Sequence, residues 1–225
     1  MLKTSIEQTA QPDVVTIAKG ILKGYVMNSN IFMLKMLIRF IGIRMKINKN
    51  IPNDIKKLLA LVIAMYLSLR KRLETDQALA MVKAVIVPIG IISQMSLFRY
   101  VEDTDHSFEN LVKYSKCFKK EGPMRLNRMT IEEENAGTYR FTVHNCLFKS
   151  VFNSFSCLEL LGVFCAVDNA TYSIYSPDNI EFSRGGTENT IAKGSKTCIF
   201  ICTNNKAVSD TCPMINPKRS SQPGR

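Results

Sequence analysis

The stretch RLNRMTIEEENAGTYRFTVHNC, residues 125–146, decides the fold class of this 225-residue chain. The segment TYRFTVH, residues 138–144, alternates between apolar and polar side chains, which is typical of a β-strand with one buried face. The tripeptide Asn135-Ala136-Gly137 before it has the composition of a tight turn, so we predict a second strand ahead of that turn. This predicted strand pair divides a helical half of the chain from a mixed half.

Upstream of the strand pair, the sequence is helical in pattern. Residues 14–72 repeat their apolar positions every three to four residues. A further helix is predicted to begin at Thr75, and Pro88 should kink or end it. Its longest uncharged run is residues 84–98, fewer than the about 18 needed to cross a bilayer, so we expect buried helices.

Downstream, residues 146–172 read as one or two helices joined at Gly162. The segments IEFSR, residues 180–184, and KTCIFICTN, residues 196–204, read as strands. The order predicts an α+β fold, with a helical N-terminal half packed on a small antiparallel sheet with further helices. We expect one domain over residues 1–209, with a helical part at 14–120 and a mixed part at 121–205. Residues 210–225 have the composition of a disordered tail.

Composition narrows the class of protein further. The chain is 46% hydrophobic, which is typical of a globular protein, and its N-terminus lacks the apolar core of a secretory signal. The seven cysteines are irregularly spaced and contain no CxxC pair. We therefore expect reduced thiols, a cytoplasmic location, and neither a metal site nor a cofactor.

Positive charge is concentrated near the N-terminus. Residues 1–73 contain 13 basic and 3 acidic residues, whereas the remainder contains 17 and 16. No segment resembles a nucleic-acid module, so we expect no nucleic-acid partner. The alternatives are a solvated helical face, which we favour, and a peripheral membrane contact. If the face is simply solvated, an apolar stripe on the other side should be buried in the monomer: Leu34, Leu37, Ile38, Ile41 and Met45. If the segment contacts a membrane, a basic cluster on another face should take part: Lys35, Arg39 and Lys46.

The segment VFCAVDNATY, residues 163–172, places four candidate side chains on one helix face: Cys165, Asp168, Asn169 and Tyr172. A carboxylate in such an apolar segment needs a partner, since burying it alone is costly. Arg184 beside two large apolar residues is a candidate partner, either in a purely structural ion pair or in a site.

Two strand segments add further candidates. In the predicted strand TYRFTVHNC, residues 138–146, Thr142, His144 and Cys146 share a face by the two-residue period. Cys198 and Cys202 share a face with Phe200 in the same way. A cysteine in an apolar segment usually packs as a small hydrophobe, and His144 is equally compatible with a satisfied core histidine.

An ordered set of short motifs over residues 140–202 resembles the L-2-amino-thiazoline-4-carboxylic acid hydrolase family. The set comprises Cys146 opening a helix, Phe164-Cys165 with Asp168, Phe182 with Arg184, the Thr190–Gly194 turn, and Cys198 with Phe200. The extra segment GGTEN between the arginine and that turn departs from the family pattern, and so does the basic, apolar first half.

The resemblance implies opening of a small cyclic amidine, a thiazoline carboxylate, to an N-carbamoyl amino acid such as N-carbamoyl cysteine. It supplies the positions of Cys165, Asp168 and Arg184, whereas their roles follow from chemistry. We predict Cys165 as nucleophile and His144, from the strand argument alone, as general acid and base. Asp168 would pair with the amidinium, and Arg184 would bind the carboxylate. Asn169, Tyr172 and Thr190 would complete the substrate site.

Two other functions fit the same sequence. The chain could act on a different small molecule of secondary metabolism, or it could bind a ligand or a membrane surface without catalysis. The sequence leaves the oligomeric state open.

Overall fold

The computed structural model describes residues 29–98, 106–121, 123–186 and 189–206. The helices are α1 (Ser29–Lys46), α2 (Asn53–Leu69), α3 (Thr75–Phe98), α4 (Phe108–Glu121), α5 (Leu147–Ser154) and α6 (Leu161–Tyr175). The strands are β1 (Met129–Glu134), β2 (Thr138–Val143), β3 (Ile180–Ser183) and β4 (Cys198–Asn204). Short 3₁₀ turns lie at Pro123–Leu126, Leu158–Leu160 and Ile191–Lys193. The predicted α+β class is confirmed.

The four strands form one antiparallel sheet in the order β1-β2-β4-β3. The predicted turn between β1 and β2 is present, and the side-chain oxygen of Asn135 accepts hydrogen bonds from the backbone N–H groups of Gly137 and Thr138. This local bond explains why the tripeptide turns rather than extends. Strand β2 ends at Val143, so His144 and Cys146 lie beyond the strand and its alternation does not apply to them.

Apolar side chains of both halves pack into one core. Within the sheet, the rings of Phe141 and Phe200 stack with centroids 4.4 Å apart on the buried face. Cys198 and Cys202 lie buried on that face of β4, as their spacing predicted. Tyr172 of α6 contacts the edge of the Phe200 ring, so α6 covers the sheet directly over β4.

Helix α3 crosses α6 at very short range. It continues through Pro88 to Phe98, so the proline does not end the helix. Two residues later, a Cβ on Gly90 would stand only 2.6 Å from a methyl carbon of Val167. Glycine therefore allows a backbone approach that any larger residue would obstruct. Within the described residues, the segment Thr75–Met95 of α3 is also the one helix long and apolar enough to cross a membrane, with 28% of its window buried.

Helix α1 is apolar on two opposite sides. Phe32, Met36, Ile43 and Ile47 on or just after it are buried. The expected burial of Leu34, Leu37, Ile38 and Ile41 is wrong, because all four are exposed. Helix α1 packs against α2 through its buried residues. The exposed leucines and isoleucines lie on the opposite side of α1. The predicted helix from residue 14 to 28 and the predicted tail at 210–225 lie outside the described residues, and the single domain over 1–209 stays a prediction.

Candidate active site

A buried arginine organises the polar residues between α6 and the sheet. The side chain of Arg184, which follows β3, is only 8% exposed. Its Nε donates a hydrogen bond to Oδ1 of Asn169 over 2.9 Å, and Nη1 lies 3.5 Å from the carbonyl oxygen of Ile199. Its guanidinium carbon stands 3.7 Å from the centre of the Phe200 ring, which is a cation–π contact. Nη2 makes no hydrogen bond among the described residues.

Asp168 supplies the negative charge of this cluster. Its Oδ2 lies 3.8 Å from Nη2 of Arg184, and its Oδ1 accepts a hydrogen bond from Nε2 of Gln94 over 3.0 Å. Gln94 reaches Asp168 because it lies one helical turn after Gly90, where α3 and α6 approach most closely. Burial raises the pKa of Asp168, while the charge of Arg184 and the Gln94 hydrogen bond act in the opposite direction.

A small cavity of about 20 Å³ lies beside Asp168. It is large enough for about one water molecule but not for a substrate. Tyr172 and Gln94 line it together with Asp168. The helix-face prediction for Asp168 and Tyr172 therefore agrees with the structure, since both point into the same space.

Cys165 lies one turn before Asp168 on α6 and is partly buried. Burial, together with the nearby charge of Asp168, raises the pKa of its thiol to about 12, although the charge of Arg184 acts in the opposite direction. At neutral pH the thiol is therefore protonated. This protonation weighs against Cys165 as a nucleophile in the resting protein, because the thiolate is the reactive form.

A larger, open pocket of about 420 Å³ lies near the start of α5. This volume falls within the range of about 300–1,000 Å³ that is typical of small-molecule sites. His144 and Cys146 line it with two lysines from different segments, Lys149 of α5 and Lys196. The remaining lining residues are Asn145, Ser150, Asn153, Ile191 and Ser195.

Cys146 is the N-cap residue of α5. Burial raises the pKa of its thiol, and the nearby backbone N–H groups of Lys149 and Phe148 offset only part of this rise. The thiol makes no capping hydrogen bond to the helix. Such N–H groups at the first turn of a helix stabilise a negative charge. Cys146 therefore combines access to the open pocket with nearby N–H groups that partly offset the effect of burial on its thiol.

The open pocket adjoins the cluster of polar residues around Arg184 through Cys146 and Cys198. The charge of Asp168 acts on Cys146, and the thiol of Cys198 accepts a hydrogen bond from the backbone N–H of Ile191 over 3.1 Å. Ile191 in turn lines the open pocket. The two regions are thus two parts of one neighbourhood, a pocket with a charged interior behind it.

The structure brings together most, but not all, of the residues predicted from sequence. Asp168 and Asn169 form a cluster around the buried guanidinium of Arg184, although Asn169 itself is exposed and Asp168 is half-buried. Cys165 and Tyr172 lie beside this cluster. His144 lies in the open pocket, where its Nε2 pairs with Oγ1 of Thr130 over 2.9 Å. Thr190 is buried and precedes Ile191 at the start of a 3₁₀ turn.

Three residues of the neighbourhood were missed in the sequence: Gln94, Lys149 and Lys196. Gln94 lies 74 residues from Asp168, and nothing local to it indicates a partner. Lys149 and Lys196 read as ordinary surface lysines, and only the fold brings them to one pocket. Among the described residues, no group of three or more His, Cys, Asp or Glu side chains could hold a metal ion. The six described cysteines are free thiols.

The fold and the site define a small α+β protein with a thiol-lined pocket backed by a buried ion pair. The family model for L-2-amino-thiazoline-4-carboxylic acid hydrolase matches residues 53–202. This match spans the helices α2 to α6 and most of the sheet, which is more than half of the chain. The chain therefore belongs to that family. No curated protein matches it.

Proposed function

We propose that this protein is a hydrolase that opens a small cyclic amidine bearing a carboxylate, of the thiazoline type, to an N-carbamoyl amino acid. The supporting observation is the open pocket of about 420 Å³ inside the family-matched region, which presents a thiol, an imidazole and two ammonium groups to one space. Those groups correspond to the needs of the reaction: a nucleophile, a proton carrier and an anchor for a carboxylate.

The reaction balances as a hydrolysis. A nucleophile adds to the amidine carbon, the ring C–S bond breaks, and the released sulfur takes a proton. If the nucleophile is water, the product forms directly. If it is an enzyme thiolate, an S-linked isothiourea forms first, and water then releases the product and restores the thiol.

Cys146 is the thiol that we place at the amidine carbon. It borders the open pocket, and backbone N–H groups at the start of α5 act on its sulfur. His144 in the same pocket would return a proton to the leaving sulfur, since an imidazole can act as a general acid and base. The prediction that Cys165 is the nucleophile stays as the alternative. We place it second because Cys165 does not line the open pocket and because the pKa of its thiol is raised to about 12.

The charged groups would hold the substrate. Lys149 and Lys196 are placed to bind its carboxylate at the mouth of the pocket. Asp168 is predicted to pair with the amidinium and Arg184 to bind the carboxylate. Both roles require the substrate to extend from the open pocket toward the cluster around Arg184. Because the cavity there holds about one water, side chains between Cys146 and Asp168 must move if those two residues contact substrate directly. Asn169 positions Arg184, and Tyr172 and Thr190 form the walls of the same neighbourhood.

A turnover screen tests this proposal. The purified protein is incubated with a panel of 2-amino-thiazolines and related cyclic amidines, with and without the carboxylate, and products are identified by mass spectrometry. We expect ring opening of the carboxylate-bearing members, loss of at least about 100-fold in kcat for Cys146→Ser, and little change for Cys165→Ser. Loss with Cys165→Ser alone would transfer the nucleophile to that residue.

The two rival functions give different results in the same screen. Turnover restricted to another small thiol- or nitrogen-containing molecule would favour an enzyme of secondary metabolism with a different substrate. Binding of a panel member in calorimetry without turnover would favour a non-catalytic ligand-binding protein.

A further inference from the structure

We propose that α1 docks this protein on the surface of an anionic membrane. Six large apolar side chains of α1 form an exposed stripe, and each leaves between 52% and 78% of its surface accessible. They are Ile31, Leu34, Leu37, Ile38, Ile41 and Met45. Single exposed apolar residues are ordinary, but six on one helix face make a contiguous patch of the kind that marks an interaction surface.

The stripe lies on the side of α1 opposite to the core. At 100° per residue, Leu34 points about 180° and Ile38 about 140° away from the mean direction of the buried Phe32, Met36 and Ile43. The monomer therefore already uses one face of the helix, and the stripe is a second apolar face. A helix that is apolar on both sides is expected where both sides are covered.

Positive charge borders the stripe, and it identifies the occupant. Lys35, Arg39 and Lys46 follow one edge of α1, which is the arrangement of helices that lie in a membrane interface. No acidic residue occurs within α1. A second copy of this chain would bring the same positive charges against these, whereas anionic headgroups would neutralise them.

A pocket between α1 and the end of α2 adds a site for a headgroup. It has a volume of about 510 Å³, and four cationic side chains line it with the apolar rings and chains of Phe32 and Ile38. The cationic residues are Lys35, Arg39, Lys71 and Arg72. Arg39 is held toward Ser68 by a hydrogen bond of 2.8 Å, so part of this basic pocket is preorganised. The phosphate of a lipid headgroup would accept hydrogen bonds from these donors, while the acyl chains of the membrane lie along the stripe.

The position of α1 separates this surface from the chemistry of the family. The family match begins at residue 53, after α1 ends, so the matched region does not contain the stripe. Docking through α1 would therefore bring the family-matched region to a membrane surface and leave the open pocket near α5 unoccupied by lipid. The proposal does not rest on the hydrolase function, and either can fail alone.

Vesicle co-sedimentation of the full chain tests the docking. We expect binding to vesicles that contain 30% phosphatidylserine in phosphatidylcholine, weak binding to pure phosphatidylcholine, and loss of binding as salt rises from 0.1 M to 0.5 M. Replacing Lys35, Lys46 and Lys71 by Gln should lower the partition coefficient on the order of a hundredfold. The matched control replaces three exposed lysines outside the α1–α2 pair, Lys83, Lys120 and Lys193, and should bind as the parent does.

An apolar pair of variants completes the test. Leu34→Gln with Ile38→Gln should abolish vesicle binding without lowering Tm, because both side chains are exposed in the monomer. Leu58→Gln with Leu61→Gln, two exposed leucines of α2, is the control and should retain binding. A salt-independent dimer in analytical ultracentrifugation that Ile38→Gln dissociates, together with no vesicle binding by the parent, would overturn the proposal in favour of a second copy.

Discussion

Arg184 bonds to Asn169 more closely than it pairs with Asp168. Its Nε lies 2.9 Å from Oδ1 of Asn169, whereas its Nη2 stands 3.8 Å from Oδ2 of Asp168. The neutral amide thus carries the close hydrogen bond to this buried cation, and the carboxylate is shared with Gln94. The carboxylate of Asp168 therefore contributes less to holding Arg184 in place than the amide of Asn169 does. Substitutions of the two residues should change the stability of the protein by different amounts.

Removing the amide should cost stability, and neutralising the carboxylate should not. Asn169→Ala leaves the buried Nε of Arg184 without its acceptor and should lower the free energy of unfolding by about 2 kcal/mol. Burial raises the pKa of Asp168, so its surroundings stabilise the charged carboxylate less than water does. Asp168→Asn should therefore change stability by less than about 1 kcal/mol and, if Asp168 acts on substrate, lower kcat at least about 100-fold. Urea unfolding and turnover on the same preparations measure both. Equal losses of stability in the two variants would contradict this division.

The contact between Gly90 and Val167 gives a second stability test. Gly90→Ala would place a methyl group 2.6 Å from Val167 and force α3 and α6 apart, at a cost of about 1–3 kcal/mol. Gly162→Ala is the matched control, since nothing lies within 4 Å of its added Cβ. There the better helix propensity of alanine should stabilise the protein by up to about 1 kcal/mol.

A compensating change identifies the cause. Adding Val167→Ala to Gly90→Ala makes room for the new methyl group, so the double variant should recover part of the loss. Because Gln94 follows Gly90 by one turn, Gly90→Ala should also disturb its hydrogen bond to Asp168. A Gly90→Ala protein as stable as Gly162→Ala would show that the helices separate without cost.

Sequence patterns predicted what depends on local chemistry. The strand pair around Asn135, the buried face of β4 and the shared face of Asp168 and Tyr172 all follow from short-range periodicity, and the structure agrees. The join between α5 and α6 does not follow from it. The chain turns at Ser156, which has a φ of 52°, whereas Gly162 lies inside α6. A left-handed serine between two helical segments has no local sequence signature comparable to that of glycine.

The residues that could not be predicted are those whose role depends on distant packing. Lys149 and Lys196 meet at one pocket only because β4 pairs with β2 and carries its preceding loop to the start of α5. The exposure of Leu34 and Ile38 was likewise hidden, because periodicity detects an apolar face but not which of two apolar faces the core covers. One long-range pair was predictable, because a carboxylate in an apolar helix needs a partner and Arg184 is the candidate beside apolar residues.

Thiol reactivity should distinguish Cys146 from Cys165. With a pKa of about 12, Cys165 has on the order of one thiolate in ten thousand thiols at pH 8. Its alkylation by iodoacetamide should be slow at pH 7 and rise about tenfold per pH unit up to pH 10, because the thiolate fraction grows with pH below the pKa. Exposed Cys117 should label first, and Cys146 should label before Cys165. Site-resolved mass spectrometry measures all of these. Faster labelling of Cys165 than of Cys146 at pH 7 would return the nucleophile to Cys165.

The two lysines of the open pocket should control recognition of the substrate carboxylate. Lys149→Gln and Lys196→Gln each remove one cation from a space of about 420 Å³ that contains His144 and Cys146. A charge-assisted hydrogen bond contributes about 1.5–3 kcal/mol, so each change should raise KM for a carboxylate-bearing thiazoline at least about tenfold. Lys193→Gln is the control, because Lys193 lies in the 3₁₀ turn after Ile191 but does not line the pocket. A substrate analogue without the carboxylate should be equally poor for the parent and both variants. If the variants discriminate against that analogue as strongly as the parent does, the carboxylate binds elsewhere, and Arg184 becomes its anchor.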